Sequence, residues 1–428
     1  MPGILNFKGS DLERKLSTQQ FALLKEVAGV AASRHLPLYL VGGFVRDLLL
    51  GIPAMDFDLV VEGEAIPLAR ALATHYGGRV TAHVRFGTAQ WFRPGSGHHA
   101  LDFISTRSEI YKHPAALPTV SPGVLIDDLR RRDFTINTLA LRLDGKHWGE
   151  LRDDLRGLDD LNLGLVRVLH PGSFMDDPTR IFRAVRYEQR YGFQIVPETL
   201  SLIPPACDLI SSLSAERLRH ELDLILEEEK ADSMLQRLSQ LDLLQPVHPA
   251  LTWNARLRRN FKKGSHPPQE GRIKSIPSSV GRSSLGWHFW LMELGPADLE
   301  SLDRRLHFRA ALFESLSAAY GLAADLPSMD GLKPSQWVAR LEKLPASAVY
   351  AVFLCTTDRK ARQDLYNYLE NWRHVKPKTN GDDLKKLGLP PGPRYQQVLQ
   401  RLREAWLDEE VQSENDELKL LEGLIKEV

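Results

Sequence analysis

Three stretches in the first quarter of the chain carry the apolar runs and alternation of strands: Leu38-Tyr-Leu-Val41, Phe57-Asp-Leu-Val-Val61 and Ala100-Leu-Asp-Phe-Ile104. Helical stretches separate them, and glycine pairs at Gly42-Gly43 and Gly77-Gly78 punctuate the turns, which predicts a mixed α/β module over about residues 1–150. From about Leu151 the strand signals fade. Apolar residues then recur at helical spacing through Ile181 to Val185, Leu218 to Leu226 and Leu235 to Leu244, so residues 151–253 are expected to be helical. Residues 287–428 read the same way, broken near Pro327, Pro334 and Pro390-Pro-Gly-Pro393. The predicted fold class is α+β, a mixed sheet followed by an all-helical remainder.

Charge changes the picture in one place. Residues 254–286 hold eight basic residues from Arg256 to Arg282 against Glu270 alone, with many Gly, Ser and Pro, and are expected to form a linker or a loop that orders on RNA. Over the whole chain Lys plus Arg and Asp plus Glu are both 55, so net charge gives no sign of a nucleic-acid partner and any basic surface must be local. A length of 428 residues exceeds what one core holds and implies several modules. Cys207 and Cys355 lack metal-ligand spacing, Met1 to Lys25 lacks a signal-peptide core, and the apolar run Ala348 to Cys355 falls short of the roughly 20 residues of a membrane helix. A cytoplasmic protein with no membrane partner is expected.

Candidate chemistry starts at Met55-Asp-Phe-Asp58. On a strand, Asp56 and Asp58 share one face, and two carboxylates side by side can hold divalent cations for a phosphoryl-type displacement. Just before them, Tyr39-Leu-Val-Gly-Gly-Phe-Val-Arg-Asp47 reads as strand, Gly-Gly turn and helix, whose first N–H groups favour phosphates. Gly43 has no Cβ to obstruct a triphosphate, and Arg46 adds positive charge one turn in.

Together these segments resemble the nucleotidyltransferase palm of the polymerase-β superfamily, in the wording of the tRNA nucleotidyltransferase and bacterial poly(A) polymerase family. The resemblance implies a palm at residues 1–150, a neck at 151–253, and a body and tail at 287–428 that grip tRNA. It also implies Mg²⁺ held by Asp56 and Asp58, and places Asp102 near the metals as a third catalytic carboxylate. Asp128-Leu-Arg-Arg-Arg-Asp-Phe-Thr-Ile-Asn137 is similar to the family's second signature, in which Arg132 and Asp133 contact the incoming nucleotide.

Met175-Asp-Asp-Pro-Thr-Arg180 looks like the family's nucleotide-reading motif, with Asp176 in place of the usual Glu. Asp177, Arg180, Arg183 and Arg186 recur every three residues along one helical stripe. Cytosine and adenine both set an amine donor beside a ring-nitrogen acceptor, whereas uracil and guanine reverse the order. A carboxylate beside a guanidinium therefore admits C and A and rejects U and G. Asp177 and Arg180 are expected to read the base, with Arg183 and Arg186 as further nucleotide contacts.

The implied activity is addition of C and A from CTP and ATP to the tRNA 3′ end, the full CCA sequence. A-only or CC-only addition and poly(A) synthesis are the alternatives, and a non-catalytic RNA-binding module is disfavoured by Asp56 and Asp58. Glu109, Tyr111 and Pro114, in the stretch before Arg132, resemble a retained loop that argues against CC-only activity, and the acidic ending, Asp408 to Glu410 and Glu414 to Glu417, argues against poly(A) synthesis.

Overall fold

A computed structural model describes residues 9–53, 57–95, 100–110, 119–265, 281–390 and 392–426. The chain divides into two compact units, Met1–Ser214 and Ala215–Val428.

The first unit is built on seven strands: β1 (Leu38–Val41), β2 (Asp58–Val61), β3 (Arg79–His83), β4 (Thr88–Phe92), β5 (Leu101–Ser105), β8 (Ala140–Arg142) and β9 (Glu150–Arg152). Their order is β3-β4-β5-β2-β1-β8-β9, and β6 (Arg107–Ile110) with β7 (Thr119–Pro122) forms a separate hairpin. β1 is an interior strand, buried at all four positions because both its faces are covered. On one face Tyr39, Val41, Val60 and Ala140 pack against Leu125 and Leu129 of the Leu125–Arg130 helix. On the other, the Ala65–Tyr76 helix lies against β3, β4 and β5, with Trp91 on Tyr76 and its indole N–H bonded to the Gly77 carbonyl.

Helices take over after β9. The Thr179–Tyr191 helix ends at Gly192, whose φ of +70° lets the chain turn back and pair Gln194–Ile195 with Leu165–Val166. Its buried side includes Ile181, Phe182, Ala184 and Val185, which is the helical periodicity legible in the sequence.

The second unit is all helical among the described residues. Its core holds a stack of Trp287 on Trp290 and edge contacts from Trp253 and Phe308. The segment expected to be a linker begins instead as the Ala255–Ser265 helix. Leu257 and Phe261, four apart, are buried, and Phe261 meets Trp253 at 5.5 Å, so this pair overrides the basic residues around it. A second helix starts at Arg282, and residues 266–280 lie outside the described residues. No described helix is long and apolar enough to cross a membrane.

Candidate active site

Strand register alone assembles the site. β1 pairs antiparallel with β2 (Leu40↔Leu59) and with β8 (Val41↔Ala140), while β2 pairs parallel with β5 (Asp58↔Asp102). The end of β1 and the beginnings of β2, β5 and β8 therefore share one edge of the sheet. Gly42 and Gly43 leave β1 there, and Asp58 and Asp102 stand side by side on one face. Asp58 is exposed and Asp102 is half-buried. Asp56, expected as the companion of Asp58, lies outside the described residues. Asp58 offers carboxylate oxygens, hard donors of the kind Mg²⁺ or a similar divalent cation takes, and the Asp102 carboxylate stands beside them.

The glycine turn is fitted to the second signature. Gly42 has φ of +81°, and a Cβ there would fall 2.5 Å from Nη1 of Arg132, so only glycine lets that guanidinium lie against the turn. Gly43 is less constrained: a Cβ there would meet Arg46 Nη2 at 3.4 Å. Arg132 is also held by Asp128, whose second oxygen takes Arg131 at 2.6 Å. Asp128 is fully buried, and two guanidiniums share its charge. Arg131 reaches on to Glu109 of β6, 3.0 Å away. Tyr111 and Pro114 lie outside the described residues.

The Thr179–Tyr191 helix, expected to read the base, does not present Arg180, Arg183 and Arg186 as a solvated basic stripe. Arg180 is buried, with Nη1 donating to Ser173 Oγ and Nη2 to the Arg131 carbonyl, both at 2.7 Å. Arg183 binds Asp133 at 2.6 Å, and Arg186 is buried beside the Tyr187 ring. Asp177 precedes the helix in extended conformation and accepts from the Thr179 N–H and hydroxyl, fixing the helix start. An open pocket of about 200 Å³ lies between Ser108 and Glu109, Arg130 and Arg131, and the helix side, where Arg180 and Asp176 rather than Asp177 line it.

Asp133 joins the two signatures. Its Oδ1 accepts from the Phe134 N–H and the Asn137 amide at 2.8 Å, and its Oδ2 takes Arg183. Burial works against its charge, but the Arg183 guanidinium and the Asn137 amide prevail and bring its pKa down to about 2.

Arg46, expected to face the phosphates, points into the scaffold. It is 3% exposed, donates to Asp47 at 2.9 Å and to Asn137 Oδ1 at 2.5 Å, and lies 4.8 and 4.7 Å from the Tyr187 and Tyr191 ring centres. Tyr191 also bonds Asp47, so the Gly43–Leu50 helix, the second signature and the Thr179–Tyr191 helix form one hydrogen-bonded unit. Asn137, Asp128 and the two tyrosines were not singled out from the sequence. The signals available were Tyr187 and Tyr191 at i,i+4 and Asn137 four residues after Asp133.

Residues 38–167 match the Poly A polymerase head domain, and residues 192–253 match the probable RNA and SrmB-binding site of polymerase A. The A-adding tRNA nucleotidyltransferase of Geobacter sulfurreducens is 34% identical over 96% of this chain, which spans about half of that protein, 47%. The A-adding tRNA nucleotidyltransferase of Halalkalibacterium halodurans is 30% identical, with 91% of this chain and 88% of that one aligned. Among solved structures, the Thermotoga maritima CCA-adding enzyme complexed with tRNA has a TM-score of 0.75 and 27% identity, covering 98% of this chain and 99% of that one. The palm at the sheet edge, the two signatures packed on it and the relatives spanning nearly the whole chain agree: the protein belongs to the tRNA nucleotidyltransferase and poly(A) polymerase family.

Proposed function

We propose that this chain adds A to the 3′ end of tRNA from ATP, by metal-dependent nucleotidyl transfer at the edge where Asp58 and Asp102 meet the Gly42 turn. That convergence is the observation that carries the reading. Asp56 and Asp58 would hold Mg²⁺, and bound divalent cations would supply charge stabilisation for the attacking and leaving oxygens. The tRNA 3′ hydroxyl bonds to the α-phosphorus, the α–β phosphoanhydride bond breaks and pyrophosphate leaves. Asp102 is placed to accept the hydroxyl proton. The first N–H groups of the Gly43–Leu50 helix face the triphosphate, with Arg132 beside them.

Arg132 and Asp133 bind the nucleotide, and Asp177 with Arg180 reads its base. What supports this is their rigidity: Arg180 is tied at two points and Asp177 at two, so a base meets groups already oriented. With tRNA as substrate, the cytoplasm is the proposed place of action.

A addition is the step shared by the two readings in play. The two A-adding relatives, aligned over more than nine tenths of this chain, favour an A-only enzyme. The Thermotoga CCA-adding structure, covering both chains almost completely, favours the full sequence with CTP as well. Incubation with Mg²⁺, ATP or CTP and tRNA ending at the discriminator base, at C or at CC separates them. Extension of the CC end alone marks an A-adding enzyme, and extension of all three marks a CCA-adding one. Runs of A on RNA lacking tRNA structure would mean poly(A) synthesis, and no extension of any end would overturn the proposal in favour of an RNA-binding module.

A further inference from the structure

The carboxylate of Asp102 does not stand alone on its strand. β4 and β5 pair so that Gln90 is the register partner of Asp102, and β3 continues the row with Thr81 opposite Gln90. Cross-strand partners point to the same face, so Asp58, Asp102, Gln90 and Thr81 form a polar row across four strands. The neighbours of Gln90 in β4, Ala89 and Trp91, are buried on the side of the Ala65–Tyr76 helix. Gln90 thus faces the same side as the two acids, and its Nε2 donates to Asp102 Oδ1 at 2.9 Å.

An aspartate on a strand turns about χ1 and χ2, and a half-buried one at an open edge has little packing to choose a rotamer for it. The Gln90 amide supplies that choice. By occupying Oδ1 it leaves Oδ2 as the oxygen open to another partner. The amide is neutral, so it orients the carboxylate without the full charge that an Arg or Lys would set against it.

We propose that Gln90 is a positioning residue for the reaction, which fixes the Asp102 carboxylate so that one oxygen faces the 3′ hydroxyl of the RNA primer. The inference rests on the reading of Asp102 as the proton acceptor in nucleotidyl transfer. Gln90 touches neither nucleotide nor primer in this scheme and acts only through Asp102.

The test uses the full chain, CC-ending tRNA, ATP and Mg²⁺, with four variants: Gln90→Leu, which keeps bulk and removes the donor; Gln90→Glu, which sets a second carboxylate against Asp102; Asp102→Asn; and Thr81→Val, which alters the same row without touching Asp102. Removing a group that orients a reacting one is expected to lower kcat about 10–100-fold in Gln90→Leu. KM for ATP and for tRNA should stay within about twofold, since the Asp102 proton transfer is not a binding step. Gln90→Glu should lose more than Gln90→Leu, Thr81→Val should behave as the unaltered chain, and thermal midpoints should be unchanged.

If Asp102→Asn extends tRNA at the normal rate, Asp102 is not the proton acceptor and the reading beneath the proposal fails. Should Asp102→Asn be slow while Gln90→Leu keeps full kcat, the reading stands and the positioning role is overturned. A Gln90→Leu defect carried by a raised KM or a lowered thermal midpoint also overturns it, in favour of a substrate contact or a packing role.

Discussion

Each unit carries a chain of buried polar groups, and the two are built differently. In the first, Tyr191, Asp47, Arg46, Asn137, Asp133 and Arg183 are linked end to end, with two positive and two negative charges, and the chain ends on Arg183, which is 31% exposed. In the second, His288 joins the Ser284 carbonyl, at 2.7 Å, to Ser315, at 2.8 Å, and Ser315 to Ser347, at 2.6 Å, with no charged group among them. Both satisfy buried polar groups. Only the charged chain bears the cost of desolvated ions, and it leads to the residues proposed to bind the nucleotide.

Breaking the charged chain at its centre should have the largest effect. Arg46→Met leaves Asp47 and the Asn137 oxygen buried without their partner, a loss expected to cost about 3–5 kcal/mol. Arg46→Lys should recover little, because an ammonium cannot serve both acceptors while lying flat on two tyrosine rings. Urea unfolding of the three forms measures this. A stable Arg46→Met protein with normal tRNA extension would mean that the chain is incidental to the site.

A smaller effect is expected at Asp133, where pH gives a second handle. Its folded pKa of about 2 lies below the ordinary 3.8, so the folded state binds the proton less readily than the unfolded state. That contributes roughly 2 kcal/mol of stability, full above pH 3.8 and lost as pH falls toward 2. Asp133→Asn should therefore be less stable than the unaltered protein at pH 6, and the gap should narrow by pH 3. A gap of equal size at both values would show that the Asp133–Arg183 pair contributes nothing to folding.

The charged chain also shows where sequence reasoning reached and where it stopped. β1, β2 and β5, the glycine turn and the apolar side of the reading helix were legible because each is specified by residues close in sequence. β3 and β4 were not, since Arg79-Val-Thr-Ala-His83 and Thr88-Ala-Gln-Trp-Phe92 alternate over only five residues each, with the small Ala82 and Ala89 among their inward positions. Their placement depends on long-range register, which no local pattern encodes. The direction of Arg46 was hidden for the same reason, because its partners lie some 90 and 140 positions away. In the Ala255–Ser265 helix the count of basic residues concealed the spacing of Leu257 and Phe261.

The neutral chain should give the smallest effect, and it isolates the comparison. Ser284's carbonyl must accept from Nδ1–H of His288, which leaves Nε2 to accept the Ser315 hydroxyl proton, so the imidazole fits its site in the neutral form. Burial pushes its pKa below the ordinary 6.5, and its two hydrogen bonds do not offset this. Protonation then favours the unfolded chain: stability is unaffected above pH 6.5 and declines as pH falls below it. His288→Gln keeps a donor and an acceptor without the titration, at a cost of about 1 kcal/mol for an imperfect hydrogen-bond geometry. Its unfolding midpoint should be flatter between pH 7 and 5 than that of the unaltered protein, while tRNA extension at pH 7 is unchanged. An extension defect in a stably folded His288→Gln protein would contradict the division drawn between the two chains, because a neutral network far along the sequence from every residue proposed to bind the nucleotide would then be acting on the reaction.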